Sequence, residues 1–278
     1  MMPAYPEPKI ITIKERAPIF DGGHPTWYVR ARSFLMGWTE FVSPGALLSE
    51  AEEEILVLLP DMGIDIVTPG AVISAPPRSV VVLPAGQAEL RASGSGRLIR
   101  LFAPVPAYAA GFAPEHSEGP DLLPLSPNFR RVGKAGPVVH VLDELPNSPG
   151  MPRAKLIQST TLSINWVDYQ GPRDRTLLSP HDHADIEQGS LALEGEFVQH
   201  LRTPWARDAN TWRDDLHEHC GAGSLTIIPP HILHTTEGVG DTRHILIDIF
   251  APPRRDFIAK SQILNANDYE DCSSEMSH

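Results

Sequence analysis

Cysteine is almost missing from this chain: Cys220 and Cys272 are the only two in 278 residues. Two thiols make no disulfide framework, so the fold must rest on an apolar core. No apolar run approaches the ~18 residues of a membrane span. The opening stretch MMPAYPEPKIITIKERAP lacks a basic segment followed by an apolar one, so no secretion signal is expected and the cytoplasm is the expected location. Positive charge is scarce too. Against 35 Asp and Glu there are 23 Lys and Arg, a formal charge of −12, which argues against nucleic acid or an anionic membrane as partner. A small anionic substrate stays compatible if a local cation or a metal outweighs that field. Helical periodicity over ten or more residues is rare as well.

What is present reads as strand. Hydrophobic residues make up 41% of the chain, enough for a sizeable core, and 28 prolines with 21 glycines cut it into short runs. LVLLP, VVVLP, SLTIIPP and HILIDIF are β-branched or leucine-rich pieces of strand length, bounded by turn residues. An all-β protein built of sandwiches or barrels follows. The length suits two domains. A weak repeat supports this: residues 78–89 match residues 223–234 with Pro84 on Pro229, and residues 53–63 match 187–197 with Glu54 opposite Gln188. Residues 1–112 are read as a first barrel and 137–264 as a second. The proline-rich stretch 113–136 connects them, and 265–278 form a polar, acidic tail expected to fray.

Eight of the twelve histidines fall between His181 and His244. On a strand, residues two apart face the same way, so His181 and His183 can enter one barrel while Asp182 points out. Gln188, Ser190 and Ala192 share a face, and their small neighbours leave room for a ligand. His234 arrives after the Pro229-Pro230 corner. Three imidazoles and one amide oxygen suit a divalent transition metal such as Zn, Ni, Fe or Mn. His217-Glu218-His219 lacks a second motif of its own and reads as ordinary polar sequence. His231 is either a donor near the metal or the outer residue of a turn.

The two spacings resemble the cupins. The first motif reads His181-x-His183-x4-Gln188-x6-Gly195, and the second reads Gly223-x5-Pro229-Pro230-His231-x2-His234. Gln188 stands where most of that family has Glu, and His231 where it has Gly. The resemblance implies two double-stranded β-helix (jelly-roll) barrels in tandem, with one metal held by His181, His183, Gln188 and His234. In the first half, Leu47, Ser49, Glu54 and Glu89 fall at the four ligand positions, a set too poor to hold a metal. The Ser93-Gly94-Ser95-Gly96 stretch reads as a hairpin turn, because no helix follows it.

A neutral Gln188 leaves the full metal charge available as a Lewis acid. In the run 244–250, His244, Leu246, Asp248 and Phe250 share one strand face, which puts Asp248 in the barrel as a candidate general base. Arg254 follows the Pro252-Pro253 corner as a candidate clamp for a carboxylate. The ending Asp248-x-Phe250-x-Pro-Pro-Arg254, with the three-His-one-Gln set, resembles the pectin-degradation cupins, which open unsaturated uronates. That resemblance implies Asp248, Phe250 and Arg254 as catalytic or substrate-binding residues. An internal Asp248–Arg254 salt bridge is the structural alternative. Trp205 and Trp212 could stack on a ring or anchor a loop. Three functions stay open: a non-redox isomerase, lyase or hydrolase of a small oxygen-rich acid; an iron-dependent dioxygenase; or a non-catalytic metal- or sugar-binding protein. Homo-oligomerisation is compatible with each.

Overall fold

The protein is described from a computed structural model covering residues 5–116, 118–125, 129–133 and 135–272. It is nearly all strand, as the short β-branched runs require, and among the described residues the single α-helix is Arg255–Ala259. Two barrels lie in tandem. In the first, a seven-stranded sheet runs in the order Val138–Val141, Ser79–Leu83, Ile55–Leu59, Gly96–Phe102, Leu35–Phe41, His24–Arg30 and Ile19–Asp21. It faces a four-stranded sheet of Gly45–Ala51, Gly86–Ala92, Ile64–Thr68 and Ala71–Ala75. In the second, a six-stranded sheet (Lys9–Thr12, Ser224–Ile228, Gln188–Glu194, Arg243–Phe250, Ser163–Gln170, Ala154–Gln158) faces a three-stranded one (Leu216–Cys220, Glu196–Arg202, Leu233–Val239).

Strand alternation sorts the core into two parts. Leu56, Leu58, Val80 and Val82 from the first barrel pack with Leu191, Leu193, Ile245, Ile247 and Ile249 from the second in one cluster between the two large sheets. The isoleucine face of 244–250 therefore goes where the sequence pattern sends it. Ile55, Val57, Leu59, Leu47 and Leu90 turn the other way and fill the first barrel. At Gly189 the sheets meet so closely that a Cβ would stand 2.6 Å from the Phe34 ring.

Two segments cross the expected boundaries at 112 and 137. Lys9–Thr12 pairs with Ser224–Ile228 of the second barrel, and Val138–Val141 pairs with Ser79–Leu83 of the first. Each barrel thus takes its edge strand from the segment preceding the other. The tail also departs from expectation. Tyr269–Asp271 pairs with Phe129–Arg131, and Asn265 exchanges hydrogen bonds with the Gln158 backbone. Polar composition suggested fraying, but these residues find specific partners; residues 273–278 lie outside the described part of the chain.

The register also corrects the alignment of the two halves. Ile55 pairs with Leu83 as Gln188 pairs with Ile228, so Ile55, not Glu54, matches Gln188. A one-residue slip exchanges the two faces of a strand. Ile55, Val57 and Leu59 therefore stand where the second barrel has Gln188, Ser190 and Ala192. Glu54 sits outside the lumen, accepting from Arg131, the Thr160 amide and the Tyr269 hydroxyl. Glu89 is turned outward onto Arg91, while its neighbour Leu90 faces in against Leu47. Ser49 is buried.

Candidate metal centre

Backbone geometry brings the histidines together. His181 and His234 form an isolated antiparallel bridge with reciprocal bonds of 3.0 and 2.8 Å. His181-Asp182-His183 is thus a loop pinned at its first residue, not the strand end that the alternation suggested. At its other end, the His231 amide donates to the His183 carbonyl at 2.6 Å. His231 itself has φ 68°, the left-handed turn conformation that favours glycine. That explains why a glycine fits the motif here, and the His231 ring turns away to meet Tyr5 edge-on. Gly195, with φ 91° and no room for a Cβ beside the Arg243 carbonyl, closes the next hairpin.

Donor atoms of His181, His183 and His234 lie within 4.8 Å of one another. The Nδ1–H of His181 donates to the Ser179 carbonyl at 2.8 Å and that of His234 to the Ile232 carbonyl at 2.9 Å. Both rings therefore carry their proton on Nδ1 and present a bare Nε2. Gln188 is oriented in turn: its Nε2 donates to Asp248 Oδ1 at 3.1 Å, which aims Oε1 at the imidazoles. Oε1 then stands 3.1 Å from His234 Nε2. Two lone pairs face each other there, an arrangement that calls for a cation between them. Burial, with His181 and Arg254 nearby, pushes His234 down to about 4, so its own proton does not fill the gap at neutral pH. The donor set fits a divalent transition metal.

His183 is held differently. Burial first, then Arg254 and the two other histidines, push it down to about 3. Its Nε2 lies 2.9 Å from Gln188 Oε1, and Arg254 Nη1 donates to its Nδ1 at 2.7 Å. Phe250 packs edge-on against the same ring at 5.8 Å.

Asp248 faces the lumen, as the alternation implies. Oδ1 accepts from Gln188 and Ser190, and Oδ2 accepts from Asn165 at 3.3 Å. Removal from water raises its carboxyl above the ordinary range, against the pull of those donors. Arg254 does not pair with it. Its guanidinium makes two bonds to Asp256, at 2.7 and 2.8 Å, and lies over Phe250 and Phe257.

A cavity of about 300 Å³ opens on the site, lined by His181, Gln188, His234 and Asp248 and, further out, by Tyr169, Arg153 and Arg173. The last three were not singled out from sequence. Tyr169 could have been, because it sits opposite His244 on the lumen face of its strand. The other histidine pair lies elsewhere: His217 and His219 are exposed on the outer face of the three-stranded sheet, with His217 bonded to His200 and His200 to Glu237. Trp205 and Trp212 stack on each other at 4.8 Å, exposed.

No family model matches the sequence, and no curated protein matches it. Solved structures do. The oxalate decarboxylase of Lactobacillus farciminis, in its formate complex, is similar over 91% of this chain and 90% of its own, with TM-score 0.61 and 14% identity. Oxalate decarboxylase from Bacillus subtilis, a protein with Mn(II) centres, is similar over 88% of this chain and 77% of its own, with TM-score 0.60 and 13% identity. These likenesses show the fold, two jelly-roll barrels in tandem.

Proposed function

We propose that this protein is a metal-dependent enzyme acting on a small, oxygen-rich acid in its second barrel. The observation that carries the reading is the bare His234 Nε2 facing Gln188 Oε1, with the His181 and His183 rings completing the set. His181, His183, Gln188 and His234 would hold one divalent transition metal (Zn, Ni, Fe or Mn). The structural neighbours act on oxalate, and one has Mn(II) centres, which supports both an acid substrate and manganese as the first metal to test.

When bound, such a metal supplies Lewis-acid polarisation of a substrate oxygen. The chain does the rest. Gln188 is neutral, so no ligand cancels the charge of the ion. Asp248 holds the Gln188 amide, and Oδ2, with one long bond to Asn165, keeps acceptor capacity for a substrate proton or hydroxyl. Phe250 and Arg254 wall the His183 side. A non-redox reaction on a sugar-acid-like substrate (isomerisation, elimination or hydrolysis) is the finer reading, supported by the neutral ligand set.

Metal analysis of the purified protein and of the His181→Ala/His183→Ala double variant tests the assignment. One equivalent per chain in the wild type and none in the variant is expected; metal retained by the variant would sink it. Gln188→Glu should keep the metal and slow the native reaction, because a carboxylate damps the ion's acidity. Faster turnover in that variant, with oxygen consumed, would favour a dioxygenase instead.

A further inference from the structure

The cations that line the cavity are not the one that sequence pattern suggested. Arg254 is neutralised by Asp256 and does not line the cavity. Arg153 and Arg173 do, and among the described residues neither has a carboxylate partner. The Arg153 guanidinium lies 5.2 Å from the Tyr169 ring centre. Arg173 Nη2 makes one long bond, 3.3 Å, to the Leu177 carbonyl. The nearby acids are engaged: Glu237 pairs with Arg175 and His200, and Asp174 accepts from Thr176. Burial and the like charge of Arg153 hold the Arg173 guanidinium below its ordinary value. Two cations that repel each other over a shared cavity create a local positive field against the formal charge of −12.

We infer that Arg153 and Arg173, with Tyr169 lining the same cavity, form an anion subsite that binds a carboxylate of a short organic acid. Guanidinium forks match a carboxylate's geometry and lose little hydration in doing so. A cavity of about 300 Å³ is at the small end for ligand sites, which favours a short mono- or dicarboxylate over an oligosaccharide. That the acid's other end faces the His181–Gln188–His234 wall rests on the metal reading above; the arginine subsite itself does not.

The test is calorimetric titration of malonate, with neutral malonamide as control, into metal-loaded and metal-free protein. Wild type, Arg153→Gln and the Arg153→Gln/Arg173→Gln double variant are compared. Losing charge-assisted bonds should weaken malonate binding by about tenfold or more in the double variant. The loss should appear with and without metal, and malonamide binding should not change. Arg153 is exposed, so its single variant folds and reports even if the double variant does not. Malonate bound equally by wild type and variants, or not bound by wild type at tens of millimolar, would overturn the subsite. A wild type that loads no metal yet shows the arginine-dependent malonate effect would overturn the metal reading alone.

Discussion

At the scale of single residues, the site depends on which atoms keep their lone pairs. Asp248 decides this for Gln188, because a carboxylate can only accept and so receives the amide's NH2. In Asp248→Asn that direction is no longer forced, and the new amide hydrogens face the donors Asn165 and Ser190. Metal affinity should fall about tenfold or more, the usual effect of losing a group that orients a ligand, and turnover should fall with it. A competition assay with a chelating dye measures the first, and unchanged affinity would reduce Asp248 to lumen packing. Arg254 acts in the opposite sense. His183 can bind a metal through Nε2 only with its proton on Nδ1, where Arg254 now donates. Arg254→Ala should therefore bind metal more tightly, not less, in the same assay. Weaker binding would show that Arg254 supports the ligand set.

Among the elements, the turn at 229–232 and the strand from Gln188 carry the geometry. His231 holds a left-handed backbone that costs a side-chain-bearing residue about 1 kcal/mol or more, while its amide anchors the His183 carbonyl. Glycine keeps the amide and removes the strain. His231→Gly should raise the melting temperature slightly and leave metal content unchanged; a lower melting temperature would show that the Tyr5 contact outweighs the backbone. The strand is fixed from behind. Glu187, buried, accepts from the Arg32 and Ser33 amides of the first barrel, and Gly189 lies under Phe34. Gly189→Val forces a side chain into that contact, and such overpacking typically costs ~1–3 kcal/mol. Chemical denaturation checks it, and a neutral result would mean that the sheets are free to separate slightly.

For the whole molecule, the first barrel is a partner to the second, not a spare copy. Its lumen is filled by apolar side chains, its large sheet shares one core with the large sheet that carries the candidate site, and the edge strands are exchanged. Removing residues 1–12 deletes the Lys9–Thr12 strand and exposes the backbone of Ser224–Ile228. A lower melting temperature and loose metal binding are expected, whereas a truncated protein with native stability would show that the exchange is decorative. Across the same interface Asp168 accepts from Arg78, and within its own barrel from Arg243. Those bonds hold its carboxyl below the ordinary value, against the effect of burial. A depressed folded-state value adds stability above the unfolded pKa of ~3.9 and loses it as pH falls further. Asp168→Asn should therefore destabilise at neutral pH and flatten the decline of stability in acid; parallel curves for both proteins would remove Asp168 from the account.

Sequence by itself determined the strand class and the two-barrel architecture, and it named His181, His183, Gln188 and His234, side chains that the fold brings together. Each depends on local pattern: alternation, turn residues and fixed spacing. It also placed Asp248 and the isoleucine face correctly, since alternation along one strand needs no partner. The internal alignment failed by one residue at Glu54 and Glu89, because inserted turns shift register invisibly and only hydrogen-bonded pairing fixes it. A stronger signal went unused: the run Leu-Phe-Ala-Pro at 101–104 repeats as Ile-Phe-Ala-Pro at 249–252. Tertiary structure alone decided the rest. Asp256 claims Arg254, edge strands cross between barrels, and Arg153 and Arg173 meet over one cavity. Those are encounters between side chains and strands from different elements, and their outcome depends on how the chain closes in space.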